Sequence, residues 1–247
     1  MTLDLSTGLL ALFAAAIIGL SKTGVPGIGM LFVAIFANLM PTKQASGFVL
    51  PLLLIGDLVA VRAYRQHTEW SHLRRLFIWT GLGVALGAVA LNRITDSQAR
   101  LLVGGIILSL VALHLWRARR PAAQASGPGG WFAPMIGVLA GVTTLIANAA
   151  GPLMAIYLLA MRLPKMAYVG TGAVFFLLLN LFKVPFMVGL DLITLESLKL
   201  NLMLAPAVLA GAWLGRWILP RVSQRWFERL ALILSALAGL RLLLPAK

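Results

Sequence analysis

The sequence lacks cysteine altogether, which excludes disulfides, thiolate metal sites, iron–sulfur clusters and thiol chemistry. It is also short of charge: 11% of its 247 residues are charged, against about 25% in a soluble protein. Histidine occurs only 3 times, and no HExxH, GxSxG or Walker motif is present. These shortages predict a membrane chain that is not an enzyme and that carries no cofactor and no metal.

Apolar residues are abundant, at 60% of the chain with a mean hydropathy of +0.94. Apolar runs of the length that spans a bilayer recur from one end to the other. We therefore predict an all-α polytopic membrane protein with six ordinary spans, at approximately 44–62, 75–91, 98–116, 166–188, 197–219 and 227–244.

Two further apolar segments, 5–40 and 131–162, are too long for one straight span. Each is interrupted by glycine and proline, at 21–29 in the first and at 147–152 in the second. Proline removes a helix hydrogen bond, and glycine weakens a helix. Irregular backbone at membrane depth persists only where it is buried in protein or lines a cavity. The pattern predicts two broken, re-entrant helices.

The two halves of the chain repeat each other. At a shift of 123 positions Pro41 matches Pro164, Gly47 matches Gly170 and Asp57 matches Asn180; at a shift of 128, Gly83 and Gly87 match Gly211 and Gly215. We predict two four-segment repeats, 1–120 and 131–247, which are joined by a loop at 121–130 into one membrane domain. The glycine pairs are interpreted as positions where helices approach closely.

Charge indicates how the repeats are oriented. The net charge of +14 comes from loop cations, and corresponding loops of the two halves have opposite cation bias, which is typical of inverted repeats. If each broken segment enters and leaves on one side, thirteen cations share the cytoplasmic face and six the other. Both termini are then periplasmic. No basic stretch interleaved with aromatics lies outside the membrane segments, so nucleic-acid binding is not expected.

The breaks are the predicted site. A half-helix N-terminus presents unpaired N–H groups and a partial positive charge to an anion near the midplane. A proline kink filled by neighbouring side chains remains the alternative. The predicted anion-binding residues are Ser21, Lys22, Thr23, Gly24, Gly27, Gly29, Thr144, Asn148 and Gly151.

Three polar residues inside the spans are candidates for coupling: Asp57, its repeat mate Asn180, and Lys183. Asp57 is either a proton- or cation-coupling site or a structural partner for Lys22, Lys183 or an arginine. Lys183 either faces the transported ion or snorkels to the interface.

The motifs GVPGIG at 24–29 and NAAGP at 148–152, with the corners at Pro41 and Pro164, resemble the sulfite exporter TauE/SafE family over almost the whole chain. The resemblance implies a bacterial inner-membrane protein that exports sulfite or organosulfonates such as sulfoacetate. Its partners would be a small anion and the lipid bilayer, and a homodimer is compatible with the sequence. The alternative is an uptake permease or a channel for a similar anion.

Overall fold

The computed structural model describes residues 5–24, 27–40, 42–91, 96–118 and 129–243. Predictions that concern Val25, Pro26, Pro41, the cations at 119–120, Arg93, Lys247 and most of the 121–130 loop lie outside the described residues. Ten α-helices occupy the described ranges: α1 (Leu5–Thr23), α2 (Gly29–Leu39), α3 (Thr42–Tyr64), α4 (Trp70–Leu91), α5 (Asp96–Ala118), α6 (Phe132–Ala147), α7 (Ala150–Ala160), α8 (Lys165–Gly189), α9 (Leu195–Ile218) and α10 (Gln224–Leu243). The described residues contain no strand, and the all-α prediction is confirmed.

The six predicted spans fall on α3, α4, α5, α8, α9 and α10. Four helical stretches are long and apolar enough to cross a bilayer: Leu5–Thr23, Gln44–His67, Lys165–Gly189 and Leu195–Arg221. The first of them differs from the expected half-helix. α1 has 19 residues and is about 28 Å long at 1.5 Å per residue, whereas α2 has 11. The reason is that no proline interrupts the run before position 24.

The chain forms two compact units, each drawn from both halves of the sequence. The first unit contains Met1–Thr68 and Val169–Ser223, and the second contains Glu69–Tyr168 and Gln224–Lys247. Large apolar side chains such as Leu202, Met203 and Trp213 are exposed on the helices. A surface this apolar is suited to lipid contact.

In the first unit, α1 and α9 run in the same direction in close contact. A side chain at Gly211 would overlap the carbonyl of Ala16, and further along both helices one at Gly215 would overlap Thr23. Gly19 packs in the same way against Val208. The prediction that Gly211 and Gly215 are packing positions is confirmed.

α3 and α8 run in opposite directions in the same unit. Gly47, near the start of α3, packs on Leu192 just beyond the end of α8, while Tyr64 at the end of α3 packs on Gly170 near the start of α8. Between these contacts, Asp57 is hydrogen-bonded to Asn180. α3 and α8 therefore cross at a pair of buried polar residues.

The second unit contains a similar close contact, between α4 and α6. α4 and α6 run in the same direction, because Gly83 packs on Val138 and Gly87 packs on Val142. α7 then returns alongside α6: the ring of Tyr157, late in α7, stacks on Phe132 at the start of α6, with 5.9 Å between centroids. The segment that contains α6 and α7 is thus a hairpin, with its two ends on the same side of the unit.

Candidate functional site

The densest group of buried polar residues lies in the first unit, at the end of α1. Lys22 is in the last turn of α1, where the partial negative charge of a helix C-terminus stabilises a cation. Its Nζ lies 2.7 Å from Oδ1 of Asp57 on α3. Gly56 makes room for the lysine stem, since a side chain there would meet Cγ of Lys22 at 3.1 Å. The two charges form an ion pair inside the helix bundle.

Asp57 is fully buried and is held from two sides. While Oδ1 faces Lys22, Oδ2 accepts a hydrogen bond of 2.7 Å from Nδ2 of Asn180. A buried carboxylate needs such partners, because its desolvation is otherwise very unfavourable. Of the two sequence interpretations of Asp57, the geometry supports the structural partner of Lys22 directly. It leaves a coupling role open, since the same carboxylate can be protonated.

Lys183 follows Asn180 by three residues and so lies on the same side of α8. Its side chain is fully buried. A snorkelling lysine would extend its amine into water, so the burial argues against that alternative. The three coupling candidates and Lys22 are brought together in one cluster, which we call the charged cluster: Lys22, Asp57, Asn180 and Lys183.

Lys22 is the partly exposed charged residue of the cluster. Its side chain is 12% exposed, whereas Asp57 and Lys183 have no exposed surface. The ammonium also lies over the ring of Phe176, 4.6 Å from the centroid, a cation–π distance. Phe176 was not predicted from the sequence. Its signal is its spacing, four residues before Asn180 and seven before Lys183, which places it on the same face of α8.

The hydroxyls of the first break are engaged within the protein. Oγ of Ser21 donates to the carbonyl of Ile18 at 2.7 Å, and Oγ1 of Thr23 lies 2.7 Å from the carbonyl of Ala212 on α9. The carbonyl of Thr23 accepts a hydrogen bond from Tyr64. These bonds fix the end of α1 against α3 and α9. An anion could receive hydrogen bonds from Ser21 or Thr23 only if the hydroxyls exchanged partners.

The glycines of the first break have separate physical reasons. Gly24 lies against Gly215, where a side chain would come within 2.6 Å of the Gly215 Cα. Gly27 has a φ of 85°, a backbone conformation that residues other than glycine rarely adopt. Gly29 begins α2 and faces Phe32 and Ser21. Together they allow the chain to turn between α1 and α2.

The second break lies in the other unit and has a different local structure. Asn148 ends α6 in the left-handed conformation, with a φ of 51°, and its N–H donates to Thr144. The N–H of Ala149 donates to Thr143, so the turn itself satisfies the carbonyls of Thr143 and Thr144 near the end of α6. Gly151, near the start of α7, faces open space, because a side chain there would meet nothing within 4 Å. That the two breaks converge on one anion remains a prediction.

Asn201 on α9 differs from Asn180 in that its side-chain amide has no hydrogen-bond partner in the part of the chain that the structure describes. Its side chain is buried, with 2% exposed, and neither its amide nitrogen nor its oxygen has a hydrogen-bond partner among the described residues. Asn201 therefore forms no side-chain bridge between helices within the described residues. As for metals, no group of three or more histidine and carboxylate residues capable of holding an ion occurs in the described ranges.

Comparison with known proteins gives one family. A family model described as Sulfite exporter TauE/SafE matches residues 9–242. No curated protein matches the chain. No solved structure matches it either.

Proposed function

Because the chain belongs to the sulfite exporter TauE/SafE family, and is thus a membrane transporter of the anion-exporter type, we propose that it exports small sulfur-containing anions. The proposed substrates are sulfite and organosulfonates such as sulfoacetate, and the proposed location is the bacterial inner membrane. The transport is secondary, driven by a gradient.

The observation that carries the proposal is the position of Lys22. A cation buried in a membrane protein is unfavourable unless it faces a partner, water or an anion. Lys22 has three N–H donors and directs its ammonium to one oxygen of Asp57, so it retains capacity for a second acceptor. It is also the accessible member of the charged cluster. An anion that reaches the end of α1 would share Lys22 with Asp57.

The depth of the charged cluster suits a transport site. Within the Gln44–His67 stretch, Asp57 is about 20 Å from one end and about 15 Å from the other, at 1.5 Å per residue. Transporters of this general design bind substrate near the bilayer midplane, where discontinuous helices meet. We place the anion at the first break beside Lys22.

We propose further that the chain is an inverted repeat with two re-entrant segments. Two observations support it. The helices α3 and α8 run in opposite directions, and Asp57 and Asn180, which hydrogen-bond where they cross, are repeat mates. A two-fold axis in the membrane plane produces such a contact between mates. The hairpin of α6 and α7 supports entry and exit on one side.

Proton coupling follows from the ion pair. Protonation of Asp57 would remove the charge that holds Lys22 and would leave the ammonium free to bind an anion more tightly. By reciprocity, a bound anion would then favour protonation of Asp57. Asp57 is thus the proposed coupling residue, and Asn180 and Lys183 are the groups that set its surroundings.

The test is anion binding and flux with purified protein. Binding to the native state raises its apparent stability, so sulfite and sulfoacetate should raise the melting temperature. In proteoliposomes, Lys22→Ala should abolish flux of these anions, whereas Lys199→Ala, which removes an exposed cation from α9, should not change it. Right-side-out and inside-out vesicles separate export from uptake. Wild-type flux by a folded Lys22→Ala protein would refute the assignment of the site.

A further inference from the structure

The charged cluster contains two amino groups and one carboxylate. Lys22 of α1 pairs with Asp57 of α3, and Lys183 of α8 is buried one turn beyond Asn180, the other partner of Asp57. From α8, Asn180 and Phe176 also face the pair without adding charge. With all three groups ionised, the cluster has a net charge of +1.

From this balance we infer that Asp57 sets the valence of the bound anion, so that the charged cluster accepts a monoanion in preference to a dianion. The inference rests on the proposed function, since it concerns the anion proposed to bind at Lys22. A monoanion brings the site to neutrality. A dianion would leave one negative charge uncompensated where the effective dielectric constant is low and each charge interacts strongly.

The chemical class that satisfies this rule is the sulfonates without a second acidic group, together with the hydrogen-bearing form of sulfite. Each carries one negative charge spread over oxygens that can accept from an ammonium. Sulfate, fully ionised sulfite and sulfoacetate, whose carboxylate adds to the charge of its sulfonate, carry two. They would fit only when Asp57 is neutral, because the cluster then has a net charge of +2. Selection by valence thus follows from one carboxylate and two lysines.

The experiment compares two probes of fixed charge, methanesulfonate with one negative charge and sulfate with two. Dissociation constants are measured by thermal shift and by calorimetry on the purified full chain at constant ionic strength. Wild type should bind methanesulfonate about tenfold more tightly than sulfate, or better. Asp57→Asn should reverse the order, because the cluster charge becomes +2.

Lys183→Met keeps the inference testable if Asp57→Asn folds poorly, and a double variant checks the charge balance. Lys183→Met gives a neutral cluster and should weaken both probes about tenfold or more. The double variant Asp57→Asn/Lys183→Met returns the net charge to +1 and should restore the preference for methanesulfonate. Lys199→Met removes an exposed cation of α9 and is the matched control, with unchanged constants expected.

The outcomes separate the two proposals. If wild type binds neither these probes nor sulfite, the proposed anion site is wrong, and the valence rule is wrong with it. If wild type binds both probes equally, or if the double variant behaves like Asp57→Asn, the valence rule alone is overturned and the transporter proposal stands. A preference that follows net charge through all four proteins supports the rule.

Discussion

The ion pair between Lys22 and Asp57 allows a quantitative prediction about stability. Lys22→Met leaves a buried carboxylate without its nearest cation. Breaking a buried ion pair in this way lowers the free energy of unfolding by about 3–5 kcal/mol. Lys183 and the Asn180 hydrogen bond remain. The expected loss is therefore near the lower limit, about 3 kcal/mol.

The other two variants of a double-mutant cycle, Asp57→Asn and the double variant, should lose less free energy of unfolding than Lys22→Met. Asp57→Asn should lose about 2 kcal/mol, because the partly exposed Lys22 can turn toward water. The double variant Lys22→Met/Asp57→Asn removes both charges and should lose only about 1 kcal/mol, since an uncharged pair has no desolvation penalty to offset. The two single losses then exceed the loss in the double variant by about 4 kcal/mol, which is the interaction energy of the pair.

The assay is thermal unfolding in detergent, with all four proteins measured in one buffer and without anions that could bind. For a chain of this size about 1 kcal/mol corresponds to about 2–4 °C, so Lys22→Met should melt about 6–12 °C below wild type. Lys199→Met should melt with wild type. If the losses add to within about 0.5 kcal/mol, the two residues are not coupled and the cluster is not built around this ion pair.

Three other predictions concern packing, the polar crossing and topology. Gly19→Leu should prevent α1 from packing on Val208 and abolish the folded monodisperse peak in size-exclusion chromatography. Gly8→Leu is the control and should leave the peak intact, because a side chain there would meet nothing within 4 Å. Equal elution profiles for the two variants would contradict the close contact. Asn180→Asp sets two carboxylates face to face, so anion affinity should fall more steeply with rising pH than in wild type; an unchanged pH profile would count against the crossing. With both termini periplasmic, a C-terminal phosphatase fusion should be active and a GFP fusion dark, and the reverse would refute the re-entrant topology.

The spans could be predicted because hydropathy and helix length are both constrained by the bilayer. The predicted boundaries fail where a helix extends beyond the apolar part of its sequence. The span at 75–91 was predicted to begin at Arg75, yet α4 begins at Trp70. Charges mark where the lipid ends, whereas a helix continues through arginine, which favours helix as much as leucine does. Hydropathy therefore locates the membrane better than it locates the end of the helix.

The site was predictable to a smaller extent. Lys22, Asp57, Asn180 and Lys183 stand out because polar residues are rare in apolar spans, and the structure brings them together. That repeat mates would touch each other could not be derived from the repeat alone, because it requires α3 and α8 to cross. The partners of Thr23 were equally hidden. One of them is a backbone carbonyl, that of Ala212, and every residue has one, so no sequence pattern indicates it.

Asn201 offers a last prediction, because its amide is buried without a hydrogen bond among the described residues. Such a group loses its bonds to water and gains none, so Asn201→Leu should stabilise the protein by about 1–3 kcal/mol. The matched control is Asn180→Leu, which removes an amide that does donate to Asp57 and should destabilise. Both changes add the same apolar volume, so packing alone predicts no difference of sign. If Asn201→Leu lowers the melting temperature, the amide meets a partner from outside the described chain, and a simultaneous loss of anion flux would place Asn201 on the transport path.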